Sequence, residues 1–570
     1  MKIAIIHGYF LNGTGSNLYV QNLCRQFCKT GHDVLLFCQE RSAEKYDFIE
    51  SAYLFDKASE HLKLIHEKAT PYKGKCKCYI PDIGRILPVY VKDRYEGFDA
   101  EEITQLSEKD LENYISYNEK ALKATFADNK PDIVINNHTV MQPVYVKRAL
   151  EDFNDVFVFT VVHGSCLNFS VKKSDLALRY AIEGLKASDK LVFLTDYSMQ
   201  EFRDFFQGKA EFKAEKILIP AGVDVESFLP LEKGLNKSGR IQKLLKKTES
   251  EYGNSMGAES EYGNCLEAAD YRKHRDFDKF IKEASADKLS EIKTQLMEKG
   301  DKKNIDADIK NKLLNIDWDK DTILLYYGKY LWTKGIHNLI LSLPFILQEN
   351  PDARLVLVGF GTSRGYLEAI VGAMETGDSK KLRYLLTCPQ DFQSHVENGT
   401  EIYSGYILDM LEDIERSKAY FEKTIGIISD RVIFTGFMDH NLLKDMIPCA
   451  DIAIAPSIFP EAFGLVGVEA LACGVFPLQP YHSGFKCVVD SYSALFELDD
   501  KFISLGKLWL DEALVKNIAI QINTILATYK QKGSDLNEKV KSTARKICID
   551  NYSWDSVALK FLSTFRKSVK

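Results

Sequence analysis

The chain has 570 residues, 45% of them hydrophobic and 27% charged, with a formal net charge of -7. This is a globular composition, long enough for more than one core, and its acidic balance carries no electrostatic footprint for nucleic acid. No run approaches the roughly 18–20 apolar residues of a membrane-spanning helix.

The N-terminal apolar run in MKIAIIHGYF is too short for a secretory signal, so a cytoplasmic chain is expected. Twelve cysteines lie scattered without a C-x-x-C pair. They read as reduced thiols buried as small hydrophobes, Cys24 and Cys28 on one helix face, and no metal site is expected.

In chain order, KIAIIHGYF (2–10) is a short apolar run ending in glycine, which predicts a buried parallel strand. A glycine-rich turn, a helix, a stop at Gly31 and a second apolar run complete a βαβ unit. PDIVINNH (131–138), VFVFTVVHGS (156–165) and KLVFLT (190–195) predict further strands, each running into polar residues. EKILIPAGVDVESFLP (215–230) reads as the last strand and exit of this half.

From 231 to 318 lysine and glutamate dominate, and ESEYGN occurs twice, at 249–254 and 259–264. That is the signature of a tolerated, charged expansion, expected to be partly helical or disordered. A second alternating series starts at TILLYYGKY (322–330) and continues through ARLVLVGFG (353–361), RVIFTGF (431–437) and DIAIAPS (451–457). The stretch 373–430 reads as a mostly helical insertion, and 552–569 as a closing amphipathic helix. Two doubly wound halves predict ligands in a cleft at the C-terminal ends of the strands.

Several groups fall at those ends. Gly13 and Gly15 in NGTGSN fit a phosphate-approaching turn, but Leu18 stands where a dinucleotide fingerprint needs its third glycine. His138 and His163 close two strands; each suits either a cleft or a backbone-bonded core histidine. Lys329 and Lys334 flank a strand-to-helix junction, where they form a pyrophosphate clamp or two solvated lysines. In FPEAFGLVGVEALACG (459–474), Glu461 precedes an apolar helix and Glu469 lies within it. A dry, unpaired carboxylate costs several kcal/mol, so Glu469 must meet a hydroxyl, a cation or the cleft. The helix start at Phe463, Gly464 and Leu465 offers unbonded N–H groups to a phosphate.

These segments, in this order, resemble retaining glycosyltransferase family 4 of the GT-B fold, the glycosyl transferases group 1. PEAFGLVGVEALACG resembles its E-x7-E signature, NGTGSN its first glycine loop and VHGS its histidine-bearing strand end. IPAGVDVESFLP resembles its P-x-G-V-D motif and YYGKYLWTKGIHNLI its G-R-…-K-G segment. The resemblance implies two Rossmann-like doubly wound α/β domains facing across a cleft, with two charged, mostly helical insertions. It divides the chain into an acceptor-side domain at 1–230, an insertion or linker at 231–318 and a nucleotide-sugar domain at 319–551 with the 373–430 insertion. The closing helix at 552–570 would pack back on the first domain.

The resemblance also implies roles. Glu461 would contact donor-sugar hydroxyls and Glu469 the ribose. Phe463, Gly464 and Leu465 would present amides to phosphate or sugar. Lys329 and Lys334 would neutralise the diphosphate, and His163 would sit beside the donor sugar. Gly15 would lie near phosphate and acceptor, and Phe437 and Met438 would line the base pocket. The implied reaction is metal-independent, hexosyltransferase-type transfer from a nucleoside diphosphate sugar to a glycan, lipid-linked or small-molecule hydroxyl, with no further cofactor.

Two departures stand out: lysine replaces the usual arginine at 329, and Pro477 comes one place late after Gly474. A sugar phosphorylase, a nucleotide-sugar epimerase and a non-catalytic sugar-nucleotide binder are the competing readings. The lysines and apolar spacing of 171–190 suit either peripheral membrane contact or a core helix with a wet face.

Overall fold

The computed structural model describes residues 1–13, 15–58, 61–90, 95–153, 155–232, 234–252, 303–388, 400–493 and 506–569. They form two compact units. The first comprises Met1–Asp224, Glu461–Phe463 and Asp550–Lys570, and the second Val225–Pro460 and Gly464–Ile549.

The first unit is built on eleven strands: β1 (Lys2–Ile6), β2 (Asp33–Phe37), β3 (Ile49–Phe55), β4 (Leu62–Glu67), β5 (Cys76–Ile80), β6 (Ile86–Val89), β7 (Asp99–Glu102), β8 (Ile133–Asn137), β9 (Phe157–Val162), β10 (Lys190–Phe193) and β11 (Glu215–Leu218). Nine of them make one sheet in the order β11-β10-β9-β8-β1-β2-β5-β3-β4, while β6 and β7 pair separately. All pairings in the large sheet are parallel except β3 with β4. Its buried strands read as continuous apolar runs because helices cover both faces. The strand order reverses between β1 and β8, which places a doubly wound switch point there.

The closing helix, Trp554–Ser568, belongs to this unit. Tyr19 packs edge-on against Trp554 at 5.3 Å, and Phe157 and Phe159 of β9 meet Phe565 and Phe561 at 5.6 and 5.3 Å. Gly222 touches the same indole: a Cβ there would lie 2.5 Å from Trp554. Helix Asp175–Leu185 buries Ala177, Tyr180, Ala181, Gly184 and Leu185. Its Gly184 abuts Pro143, where an added Cβ would come within 2.6 Å of the backbone, so the apolar spacing of 171–190 serves core packing.

The second unit holds β12 (Thr322–Tyr327), β13 (Ala353–Val358), β14 (Val432–Phe434), β15 (Ile452–Ile454), β16 (Phe476–Pro480) and β17 (Lys507–Leu508). They form one all-parallel sheet in the order β14-β13-β12-β15-β16-β17, with the switch point between β12 and β15. Helices at Ser379–Thr387, Thr400–Glu412 and Ile414–Phe421 occupy the described part of 373–430. Tyr420 anchors them: its hydroxyl donates to Leu341 O at 2.8 Å and its ring meets Phe345 at 5.5 Å.

The ends of 231–318 differ from a mere charged linker, because both are built into the second unit. Helix Lys237–Tyr252 lies on helix His440–Met446. Arg240 and Lys247 share the buried Asp445 carboxylate, and Lys237 holds Asp451. At the other end Asp306 makes a two-pronged pair with Arg364, 2.6 Å in each arm. Charged residues here pair inward, which composition alone reads as a wet surface. The second ESEYGN copy lies outside the described residues.

Candidate functional site

In the second unit the chemistry gathers where β12 and β15 end. After Tyr327 the chain passes through Gly328 and Lys329 into a turn, Trp332–Lys334, and then helix Ile336–Glu349. The turn is closed by Gly335 at φ +67°, where an added Cβ would lie 2.0 Å from Pro456 O. Only glycine permits this approach. Thr333 O accepts from Ile458 N at 2.9 Å and from Ser457 Oγ at 3.1 Å, so the turn bearing Lys334 is tied to the exit of β15. Lys334 is half-buried; Lys329 is exposed, its ammonium 6.0 Å from the centre of the Phe360 ring.

Helix Leu465–Ala472 starts at Gly464 with no side-chain cap. Its first amides therefore point from a partial positive end. Gly467 lets it settle against β16: a Cβ there would be 2.1 Å from Gln479 Oε1. Glu469 is 8% exposed and its Oε1 lies 3.1 Å from Nε2 of the exposed His440. Buried Tyr327 is its second neighbour. Burial first, and then the Glu469 charge, push the Tyr327 phenol well above its ordinary range, so it stays a neutral donor. Its hydroxyl donates to Val466 O at 2.7 Å. The carboxylate on the apolar helix thus has a cationic or neutral imidazole and a phenol beside it, as its burial demands.

The strand end after β14 completes this arrangement. Phe437 and Phe360 meet edge to face at 5.3 Å, and Met438 is buried behind them. Asp439 caps the helix that begins with His440, its Oδ1 accepting from Leu442 N. One short stretch therefore carries the chain from the Phe437 aromatic pair to the partner of Glu469. Arg545 braces the far end of the Glu469 helix by donating to Ala472 O at 2.7 Å and to Phe228 O at 2.5 Å.

In the first unit the switch point holds three buried imidazoles, His7, His138 and His163. The His138 ring stands 5.8 Å from His7, 4.9 Å from His163 and 5.0 Å from Tyr90. His7 Nε2 contacts two acceptors, Asn17 Oδ1 at 2.9 Å and Phe10 O at 3.2 Å, so that nitrogen carries the proton. Asn17 in turn donates to Asn12 O, which holds the loop leading to Gly15. Gly15 itself is exposed at the start of helix Gly15–Lys29.

Asn137 donates to Ile6 O at 3.1 Å, which turns its Oδ1 toward His163 Nε2, also at 3.1 Å. His163 is therefore the Nε2–H tautomer. Burial, and secondarily the nearby His7, lowers its pKa to about 3. Burial lowers His7 to about 4, against the hydrogen bonds of Asn17 and Phe10. Both are neutral near pH 7.

Glu461 and Phe463 belong to this first unit, unlike Gly464, Leu465 and Glu469. Ala462 O accepts from Thr195 Oγ1 at 3.0 Å, and a Cβ on Gly164, next to His163, would lie 3.3 Å from Ala462 Cβ. Phe463 packs on Tyr552 at 5.9 Å. The predicted residues thus fall into two groups. His163, Gly15, Glu461 and Phe463 lie in the first unit, and Lys329, Lys334, Phe437, Met438, Gly464, Leu465 and Glu469 in the second. Sequence reading did not single out His7, Tyr327, Phe360 or His440. Of these, His440 alone left a signal, as the first residue after an Asp N-cap two positions beyond Met438.

Two parallel doubly wound units define a GT-B architecture. Over its whole length the chain superposes on sucrose-phosphate synthase from Thermosynechococcus elongatus with a TM-score of 0.52 at 16% identity, covering 99% of that chain. The N-terminal domain of trehalose-6-phosphate phosphatase from Candida albicans gives 0.50 at 11% identity, over 99% of this chain and 96% of that one. Residues 426–547 match the family model described as glycosyl transferases group 1. An uncharacterised glycosyltransferase from Methanocaldococcus jannaschii is 23% identical over 248 residues, 44% of this chain and 45% of that relative. The chain thus matches less than half the length of this curated relative. Residues 426–547 thus resemble the glycosyl transferases group 1, and the fold is that of GT-B proteins.

Proposed function

We propose that the protein transfers a glycosyl group from a nucleoside diphosphate sugar to a hydroxyl acceptor, with retention of anomeric configuration and without a metal ion. The observation that carries this is the grouping in the second unit. Two lysines, an uncapped helix N-terminus and a buried carboxylate with a histidine partner lie at one switch point. Lys329 and Lys334 offset the charge that develops on the departing diphosphate, and the amides of Gly464 and Leu465 add fixed dipoles to the same end. Glu469, oriented by His440, accepts from the ribose hydroxyls. Phe437 and Met438 border the base.

On the first unit, Glu461 accepts from donor-sugar hydroxyls, and His163 serves as a neutral hydrogen-bonding group beside the reacting sugar. Gly15, on the loop held by His7 and Asn17, leaves room for phosphate and acceptor. Lysine charge replaces what a bound divalent cation would supply, and this supports the metal-free reading. The acceptor is a glycan or a lipid-linked or small hydroxyl compound.

The test is transfer from UDP-, GDP- and ADP-glucose to a panel of sugar and lipid acceptors in the presence of EDTA. The anomeric configuration of the product is read by NMR. A retained α-linked product, lost in Lys334→Ala, is the expected outcome. Nucleotide binding with no turnover on any acceptor would favour a non-catalytic sugar-nucleotide binder. An inverted product, or activity that EDTA abolishes, would overturn the mechanism.

A further inference from the structure

The far end of the charged 231–318 segment returns to the sheet beside the aromatic pair at the end of β14. Asp306 N donates to Thr435 O at 3.0 Å and Phe437 N donates to Asn304 O at 2.9 Å, with Ile305 bridged antiparallel to Gly436. Gly436 stands at φ +77°, and a Cβ there would lie 2.5 Å from Asn304 O, so the two backbones are in direct contact. Asp306 is fixed by Arg364 in two arms of 2.6 Å and by Lys312 at 2.7 Å. Lys303 projects from this anchored ribbon. Its ammonium is 4.7 Å from the centre of the Phe437 ring and 5.9 Å from that of Phe360. Both distances are within the reach of a cation–π contact.

We propose that Lys303 is a base-selecting residue that favours a nucleotide whose base presents carbonyl oxygens, uracil or guanine, over adenine. This rests on the preceding reading, in which Phe437 borders the base. A lysine ammonium is a donor only. Beside the Phe437 ring it meets the edge of any base lying there. It bonds a uracil or guanine carbonyl oxygen with a charge-assisted bond, whereas at adenine the exocyclic amine repels it and leaves only the weaker ring-nitrogen acceptors. The ribbon of 304–306 holds the lysine to the strand end that carries Phe437, so its charge stays with the aromatic pair. A segment that reads as a tolerated expansion thereby ends in a recognition element.

Isothermal titration calorimetry of the full chain with UDP, GDP and ADP tests this, using the wild type, Lys303→Met, Lys303→Arg, Lys334→Ala and, as a surface control, Lys310→Met. The wild type is expected to bind UDP or GDP more tightly than ADP. Lys303→Met should weaken the preferred diphosphate about tenfold, the size of one charge-assisted hydrogen bond. It should change ADP binding by less than about twofold, and Lys303→Arg should restore most of the loss. Lys334→Ala should weaken all three alike, since it acts on the diphosphate, and Lys310→Met none. A preference for ADP, or equal loss on all three in Lys303→Met, overturns the proposal. So does an unchanged Lys303→Met alongside a weakened Lys334→Ala, which leaves the nucleotide site standing. Binding of none of the three by the wild type would instead remove the reading of the site itself.

Discussion

The buried histidines of the first unit give a pH prediction that can be worked through. His7 and His163 are neutral in the fold, lowered from 6.5 to about 4 and about 3, chiefly by burial. A lowered histidine pKa means the unfolded chain binds the extra proton first. Stability is therefore full above pH 6.5 and falls as pH drops from there toward the folded value. Between pH 7 and pH 5 each histidine forfeits about 2 kcal/mol, so the pair removes about 4 kcal/mol from the first unit. His138, also lowered by burial and by its two histidine neighbours, acts in the same direction.

The perturbation is His163→Gln, which keeps a donor for Asn137 but cannot titrate. The assay is hydrogen exchange by mass spectrometry on peptides covering β9, converted to opening free energies at pH 7 and pH 5. The loss on acidification should shrink by about 2 kcal/mol in the variant. An identical pH dependence in the two proteins would refute the assignment of His163 as a buried neutral group. The same reasoning says that turnover should show no acid limb near pH 6.5 arising from His163.

Two further predictions concern packing. Gly335→Ala forces a Cβ to within 2.0 Å of Pro456 O at a positive φ. It should lower the unfolding temperature of the second unit and abolish donor binding, as read by differential scanning fluorimetry with and without UDP; an unaltered melting curve would contradict it. Asp306→Ala removes the two-pronged partner of the buried Arg364 guanidinium, leaving it the Glu368 bond at 2.9 Å, and should cost about 3 kcal/mol in urea unfolding. Burial pushes the Asp306 carboxyl up, but Arg364 and Lys312 outweigh it and hold it below the usual 3.8. That contribution is present above pH 3.8 and is lost as pH falls through the folded value, so the variant's deficit should narrow under strongly acidic conditions.

Much of the framework was legible because buried parallel strands announce themselves as apolar runs with glycine at their ends. The strands at Phe157–Val162, Thr322–Tyr327 and Ala353–Val358 are of this kind. The residues between 41 and 103 were silent. There β4 is an exposed edge strand, and β6 and β7 form a separate two-stranded sheet, so neither gives a clean apolar run. Strand Phe476–Pro480 carries two prolines, which hide it from a propensity reading.

The candidate site was half legible. Glu469 could be inferred to need a partner from the apolar helix around it, but not which partner, since His440 is 29 positions away. Lys303 was concealed by composition: one lysine in a lysine-rich stretch is set apart only by the backbone pairing of 304–306 with 435–437. Glu461 and Glu469 read as one motif, yet they fall in different units, a division that follows from the contacts of Ala462 with Thr195 and Gly164.

The most direct measurement is calorimetric titration of UDP-, GDP- and ADP-glucose into the metal-free protein and into Glu469→Ala. One donor should bind the wild type, and the variant should bind it at least tenfold more weakly, having lost the acceptor that His440 and Tyr327 hold in place. Binding of equal strength in the two proteins would contradict the role of Glu469, and no heat with any donor would contradict the nucleotide-sugar site as a whole.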